Sequence, residues 1–246
     1  RVVHGMGQWE AYNARLLPAL PEAVRPAAQL LFLQIGDTPR GWRPEGVAGR
    51  LQALGRDGFV PVLDIGLRGN QPTKAELDGR ADKLFGIDHE VASSTRFDSR
   101  LRDLAGVIRE FGQPVLVRIG GEFNGWWNGY HPYAYPQAFR KIVGMFREAG
   151  VTNAAFVWCY EPSAPGDFDE QNTQGQWKWF PGDDVVDWFS IDWFNKEDFT
   201  GPLVGGRQGR EPTAHGRSRK FLDLAVAHHK PVIIAESAPC RYDLSD

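Results

Sequence analysis

Pro114-Val115-Leu116-Val117-Arg118-Ile119-Gly120-Gly121-Glu122-Phe123-Asn124-Gly125-Trp126-Trp127 decides how this chain folds. A short apolar run broken only by Arg118 reads as a strand buried on both faces, the habit of parallel sheets. It closes on a glutamate followed by two tryptophans. A second run, Pro231-Val232-Ile233-Ile234-Ala235-Glu236-Ser237, closes on a glutamate too. Parallel α/β folds place their chemistry at the C-terminal ends of the strands, so both carboxylates stand where function is expected.

Working outward, strand and helix patterns alternate. Candidate strands are Val2–Met6, Leu30–Ile35, Val60–Ile65, Val115–Ile119, Ala154–Tyr160, Val185–Asp192 and Val232–Glu236. Between them, helical spacing runs through Arg43–Gly55, Asp98–Phe111, Tyr135–Ala149 and Arg217–His229. Phe111-Gly112-Gln113-Pro114 is a clear helix stop before the next strand. Such alternation predicts parallel βα units and, at 246 residues, a (β/α)8 TIM barrel. Glu122 then ends the fourth strand and Glu236 the seventh. An eighth strand is not evident. Either the chain stops short of the closing strand or that strand escapes the count, and residues 1–246 read as a single catalytic barrel domain. Long polar stretches, Leu67–Phe97, Glu161–Gly182 and Asn195–His215, follow strands three, five and six on the side where a barrel carries its site.

Composition narrows the partners. With 28 Lys and Arg against 31 Asp and Glu, the net charge is −3 and no basic footprint for nucleic acid is present. No apolar stretch reaches the ~20 residues of a membrane span, and no signal peptide is seen. Nine Trp, six Tyr and fifteen Phe suit sugar stacking but equally fill a core. Cys159 and Cys240 form neither a disulfide framework nor a metal cluster, and Cys159 reads as a small buried residue. The histidines show no H-x-x-H or H-E-x-x-H spacing, so no metal is expected. No G-x-S-x-G or Cys–His pattern is present, and no cofactor is called for.

Two carboxylates at strand ends, with tryptophans beside one of them, fit glycosidic bond cleavage. That reaction needs a proton on the leaving oxygen and a negative group against the oxocarbenium-like carbon. Glu122, flanked by Phe123, Trp126 and Trp127, suits the acid, whose pKa must be raised. Arg118 lies four residues before it, on the same face of the strand, and would hold Glu236 charged. Taken singly, each glutamate could equally cap a helix or pair with a surface arginine. Asp64, Glu161 and Asp192 are further cleft carboxylates, ranked as binding or supporting groups.

These residues resemble glycoside hydrolase family 26. Arg118-Ile-Gly-Gly-Glu122-Phe-Asn124-Gly-Trp-Trp is similar to its acid/base signature, Arg-x-x-His-Glu-Met-Asn-Gly. Tyr135–Phe146, Asn153–Trp158, Trp179–Asp183 with Val186–Asp192, and Lys230–Glu236 follow the family's order, so the likeness covers roughly residues 98–239. It implies a retaining barrel with Glu122 as acid/base and Glu236 as nucleophile, acting on β-linked polysaccharide, β-1,4-mannan foremost, with related β-glucans and β-1,3-xylan as other targets. It implies a secreted or periplasmic protein. Two departures stand out. Gly121 replaces the mannanases' His, and Phe194 stands where many members carry a Tyr that bonds the nucleophile.

The expected site thus comprises Glu122 and Glu236, with Trp126, Trp127, Tyr130, Trp158 and Trp193 as aromatic substrate contacts. Arg118, Asn124 and Asp192 are expected as polar contacts. A monomer acting on a polysaccharide or oligosaccharide is the expected state. A glycan-binding barrel with an impaired catalytic shell is the alternative. A barrel enzyme using one carboxylate as base on a small substrate is a third reading.

Overall fold

The computed structural model describes residues 5–6, 15, 17–37, 44–69, 85–164, 168, 170–206, 209 and 211–237. Its strands are β1 (Gly5–Met6), β2 (Ala28–Gln34), β3 (Val60–Gly66), β4 (Val115–Glu122), β5 (Ala154–Tyr160), β6 (Trp188–Trp193), β7 (Val204–Gly205), β8 (Glu211–Pro212) and β9 (Val232–Ser237). The helices are α1 (Pro44–Arg56), α2 (Asp88–Ser93), α3 (Asp98–Phe111), α4 (Ala134–Glu148) and α5 (Ala214–Ala227). Seven strands form one sheet in the order β1-β2-β3-β4-β5-β6-β9, with every neighbouring pair parallel. β7 and β8 make a separate antiparallel ribbon. The arrangement is that of a (β/α)8 barrel, and an eighth barrel strand is not evident among the described residues.

Register assigns each side chain to a face, because paired residues in a parallel sheet point the same way and alternate residues point oppositely. Phe32, Asp64, Arg118 and Val157 lie in one row across β2 to β5. Beneath that row a small apolar layer of Ala28, Leu30 and Val62, backed by Val60 and Leu116, fills the inside of the sheet. The opposite face carries Leu31, Leu63, Val117, Ile119, Phe156, Trp158 and Phe189 into the main core against α1, α3, α4 and α5. At about 25 cal/mol per Å² of apolar surface, this helix-side core is the chief stabiliser of the fold.

The elements start and stop for local reasons. α3 ends at Gly112, whose φ of 71° is the left-handed cap that glycine adopts most easily. α5 begins at Ala214, earlier than the expected Arg217, because the Thr213 hydroxyl caps it by accepting from Gly216 N at 3.0 Å. β6 begins at Trp188 and not at Val185, since the amides of Val185 and Val186 turn back to Gly182 O. α2 lies inside the stretch read as the Leu67–Phe97 loop. Cys159 is buried on the inner face; Cys240 lies outside the described residues.

Candidate active site

β4 carries its glutamate past a wide bulge. Arg118 pairs with Val157 and Glu122 with Cys159, so β4 takes four residue steps where β5 takes two. Gly120 and Gly121 absorb the excess with φ of 81° and 58°, a region where a Cβ is penalised. Two extra residues leave the alternation of faces unchanged, so Arg118 and Glu122 both point inward. β9 differs. Ile191 pairs with Ile234 and Trp193 with Ser237, so β9 spends three steps against two on β6. One extra residue reverses the alternation and turns Glu236 to the inner face, opposite to Ile234.

The two carboxylates then meet different surroundings. An oxygen of Glu236 is bonded by Arg118 Nη1, and the Glu236 amide donates to Asp192 Oδ1 at 2.8 Å. Arg118 is fully buried and pairs through Nη2 with Asp192 Oδ2 at 2.7 Å. The guanidinium therefore joins Asp192 beneath the site to Glu236 at its mouth, while burial pushes the Asp192 carboxyl well up and Arg118 opposes that rise. Glu122 is largely desolvated, which pushes its carboxyl up. Arg118 and the Trp127 indole pull it back, and Glu236 adds to the rise. Trp127 Nε1 donates to Glu122 Oε2 at 2.6 Å. Successive turns, Gly125 N to Glu122 O, Asn128 N to Gly125 O and Gly129 N to Trp126 O, fold the Trp-Trp segment back over the glutamate.

Of the residues expected in the site, the structure gathers Arg118, Glu122, Trp127, Asp192 and Glu236. Trp126 is 52% exposed and makes a T-shaped contact with Trp127. Asp192, expected to bond sugar, is fully buried, and both its oxygens are taken by Arg118 and Glu236 N; it supports and does not touch substrate.

Four others are displaced from their expected roles. Trp158 has no exposed surface and stacks on Phe123 with ring centroids 4.5 Å apart. Its neighbours Val157 and Cys159 hold the inward positions of β5, so alternation sends Trp158 to the helix side. The same parity sends Trp193 outward, where its Nε1 donates to Ser218 Oγ on α5. Tyr130 is 4% exposed, and its hydroxyl accepts from Leu67 N, tying the segment after β4 to that after β3. Asn124 is 6% exposed; it donates to Glu161 O and Ala164 O and accepts from Glu161 N. Both amide N–H groups and the carbonyl oxygen are engaged within the protein, and the side chain joins the turns after β4 and β5.

Two further groups stand beside the glutamates, Asn128, which the sequence reading passed over, and Glu161, which it ranked as a binding or supporting carboxylate. Asn128, almost fully buried, donates to Glu122 O at 2.7 Å and accepts from Arg68 Nε, fixing the backbone of the acid. Only an Asn-Gly turn signal marks it in the sequence. Glu161 at the end of β5 is buried, which pushes its carboxyl up to about 7 against the hydrogen bond from Ser163.

The fold is an α/β barrel that carries at its mouth a guanidinium-linked carboxylate and a desolvated glutamate. Residues 88–202 match the sequence model described as Glycosyl hydrolase family 26. It is 31% identical over 251 residues to "Beta-1,3-xylanase TXYA" of a Vibrio species, covering 97% of this chain and 49% of the relative. It is 29% identical over 212 residues to "Beta-1,3-xylanase" of an Alcaligenes species, covering 82% of this chain and 40% of that protein. The chain thus spans half the length or less of these curated relatives. Among solved structures it superposes on the GH26 domain of a Prevotella bryantii endo-beta-mannanase/endo-beta-glucanase with a TM-score of 0.59 at 16% identity, covering 96% of this chain and 76% of that one. The YdhT protein of Bacillus subtilis gives a TM-score of 0.60 at 18% identity, covering 98% and 72%. At these identities the likeness shows the shared fold.

Proposed function

We propose that this protein is a retaining, endo-acting glycoside hydrolase that cleaves a β-linked polysaccharide. The observation that carries the reading is the contrast between the inward glutamates. Glu122 is desolvated with its carboxyl raised, and Glu236 sits on the Arg118 guanidinium. In the first step Glu122 gives its proton to the glycosidic oxygen as that bond to the anomeric carbon breaks. The Glu236 carboxylate attacks the same carbon and forms a glycosyl ester. In the second step Glu122, now ionised, takes a proton from water. The water oxygen displaces Glu236, and the anomeric configuration is retained. Trp126 provides a stacking face for the chain being cleaved. A polymer of this kind does not cross membranes, so the protein acts outside the cytoplasm, secreted or periplasmic, as one barrel domain and as a monomer.

For the substrate, β-1,3-xylan takes precedence over the expected β-1,4-mannan. The two curated relatives above carry the former name. Position 121 also supports the change, because its φ of 58° strains any side chain and so disfavours the mannanases' His. Reducing-sugar release from β-1,3-xylan, β-1,4-mannan and mixed-linkage β-glucan, beside binding of each, is the test. Release from β-1,3-xylan, lost in Glu122→Ala and in Glu236→Ala, is the expected result. Binding without release from any of them would instead indicate a glycan-binding barrel.

A further inference from the structure

We propose that Asp64 is a substrate contact, its carboxylate accepting a hydrogen bond from a hydroxyl of the sugar unit held between Glu122 and Glu236, across the space that Gly121 leaves open. This rests on the glycoside hydrolase reading above and adds a residue to its sugar-binding wall.

Asp64 stands in the inward row between Phe32 and Arg118. It is more than nine-tenths buried, and its Oδ1 has no hydrogen-bond partner among the described residues. Arg118 does not fill that role, since its ion pairs go to Asp192 and Glu236. A buried carboxylate oxygen without a donor is costly, and native structures retain one where something else supplies the donor. Gly121 lies against this carboxylate. A Cβ there would stand 3.3 Å from Asp64 Oδ2, 3.6 Å from Oδ1 and 3.5 Å from Arg118 Nη2. Any side chain at 121 would grow across the carboxylate and the guanidinium together. The glycine therefore serves both the bulge and access to Asp64.

The charge around Asp64 suits an acceptor. Burial pushes its carboxyl up to about 6, Arg118 and Arg68 hold it down, and Glu236 and Glu122 push it further up. It is thus mostly ionised at neutral pH and open to a hydroxyl donor. One strand further, Phe32 is 37% exposed on the same face. Its ring gives the C–H side of a sugar a surface beside the carboxylate that takes its hydroxyl. A site built to hydrogen-bond a hydroxyl rejects sugars that cannot present one there, so Asp64 contributes to selection among β-linked glycans.

The experiment compares the unaltered protein with Asp64→Ala and Asp64→Asn, using short β-1,3-xylo-oligosaccharides and β-1,4-manno-oligosaccharides. Binding is measured by calorimetry, hydrolysis by kcat and KM, and folding by thermal unfolding. Asp64→Ala is expected to lower kcat/KM by about 30-fold or more and to weaken binding about tenfold, with no fall in the unfolding midpoint. A purely structural carboxylate would show the reverse, a lower midpoint with binding retained. Asp64→Asn keeps the shape and should lose less; it decides the case if the alanine variant does not fold. Binding and kcat/KM within threefold of the unaltered protein in both variants would overturn the inference alone. An unaltered protein that neither binds nor cleaves either oligosaccharide series would overturn the hydrolase reading and this inference with it.

Discussion

The ends of β4 and β9 solve one problem in two ways. Each must deliver a glutamate from a buried parallel strand to the inner face of the mouth, and each does so through a bulge. On β4 the bulge is even, made of two left-handed glycines, and it keeps Glu122 in line with Arg118. On β9 it is odd and swings Glu236 across the sheet to meet the same guanidinium. One end leaves its carboxylate largely desolvated with an indole donor; the other places it against a fixed positive charge. The difference shows how a single arginine sets apart two identical side chains, by bonding one directly and acting on the other only at a distance.

The largest effect should come from breaking the β9 end. Glu236→Ala removes the group proposed to form the ester, and kcat for β-1,3-xylan is expected to fall on the order of 10⁴-fold with the fold retained. Steady-state rates beside a circular dichroism spectrum check this, and a residual rate within tenfold would exclude the assigned role. Breaking the β4 end comes next. Glu122→Ala should cost roughly 10²- to 10⁴-fold, and less on substrates whose leaving group needs no proton, such as aryl glycosides with acidic phenols. An equal loss on both substrate types would argue against an acid at this position.

Smaller changes sharpen the contrast. Gly120→Ala sets a Cβ at a φ of 81° and 2.6 Å from the Tyr135 ring, so it should destabilise the protein by about 1–3 kcal/mol in urea unfolding. Trp127→Phe removes the indole donor that helps hold the Glu122 carboxyl down. Glu122 must be protonated for the first step, so kcat/KM falls as pH rises through its pKa. Losing the donor raises that pKa further, and the alkaline limb of kcat/KM should move to higher pH. A limb that stays in place or moves down would show that the indole does not govern the acid.

Much of this arrangement was legible before any coordinates. The apolar runs fixed β4, β5 and β9 to within a few residues, because fully buried strands leave little else for such runs to do. Arg118 and Glu122 were correctly set on one face, since an even bulge hides from a count by twos. The Glu236 bulge has no signature in Ile233-Ile234-Ala235-Glu236, and only pairing with β6 reveals it. Trp158 was assigned to the sugar side because tryptophan near a glutamate suggests stacking, yet counting along β5 from its inward Val157 places it in the core. Asn124 and Tyr130 were mistaken for substrate contacts for another reason. Their partners, Glu161, Ala164 and Leu67, lie on other strands' turns, and no local pattern announces contacts between turns. The stretches 38–43, 70–84 and 238–246 lie outside the described residues, and an eighth strand, not evident in the sequence, is not evident among the described residues either.

The most direct test of the central claim is covalent trapping. The protein would be incubated with an activated fluorosugar glycoside that forms the glycosyl ester quickly and releases it slowly, then digested and mapped by mass spectrometry. The account predicts one added glycosyl mass on the peptide containing Glu236, absent in Glu236→Ala. A label on any other residue, or turnover with inverted configuration and no label, would contradict it.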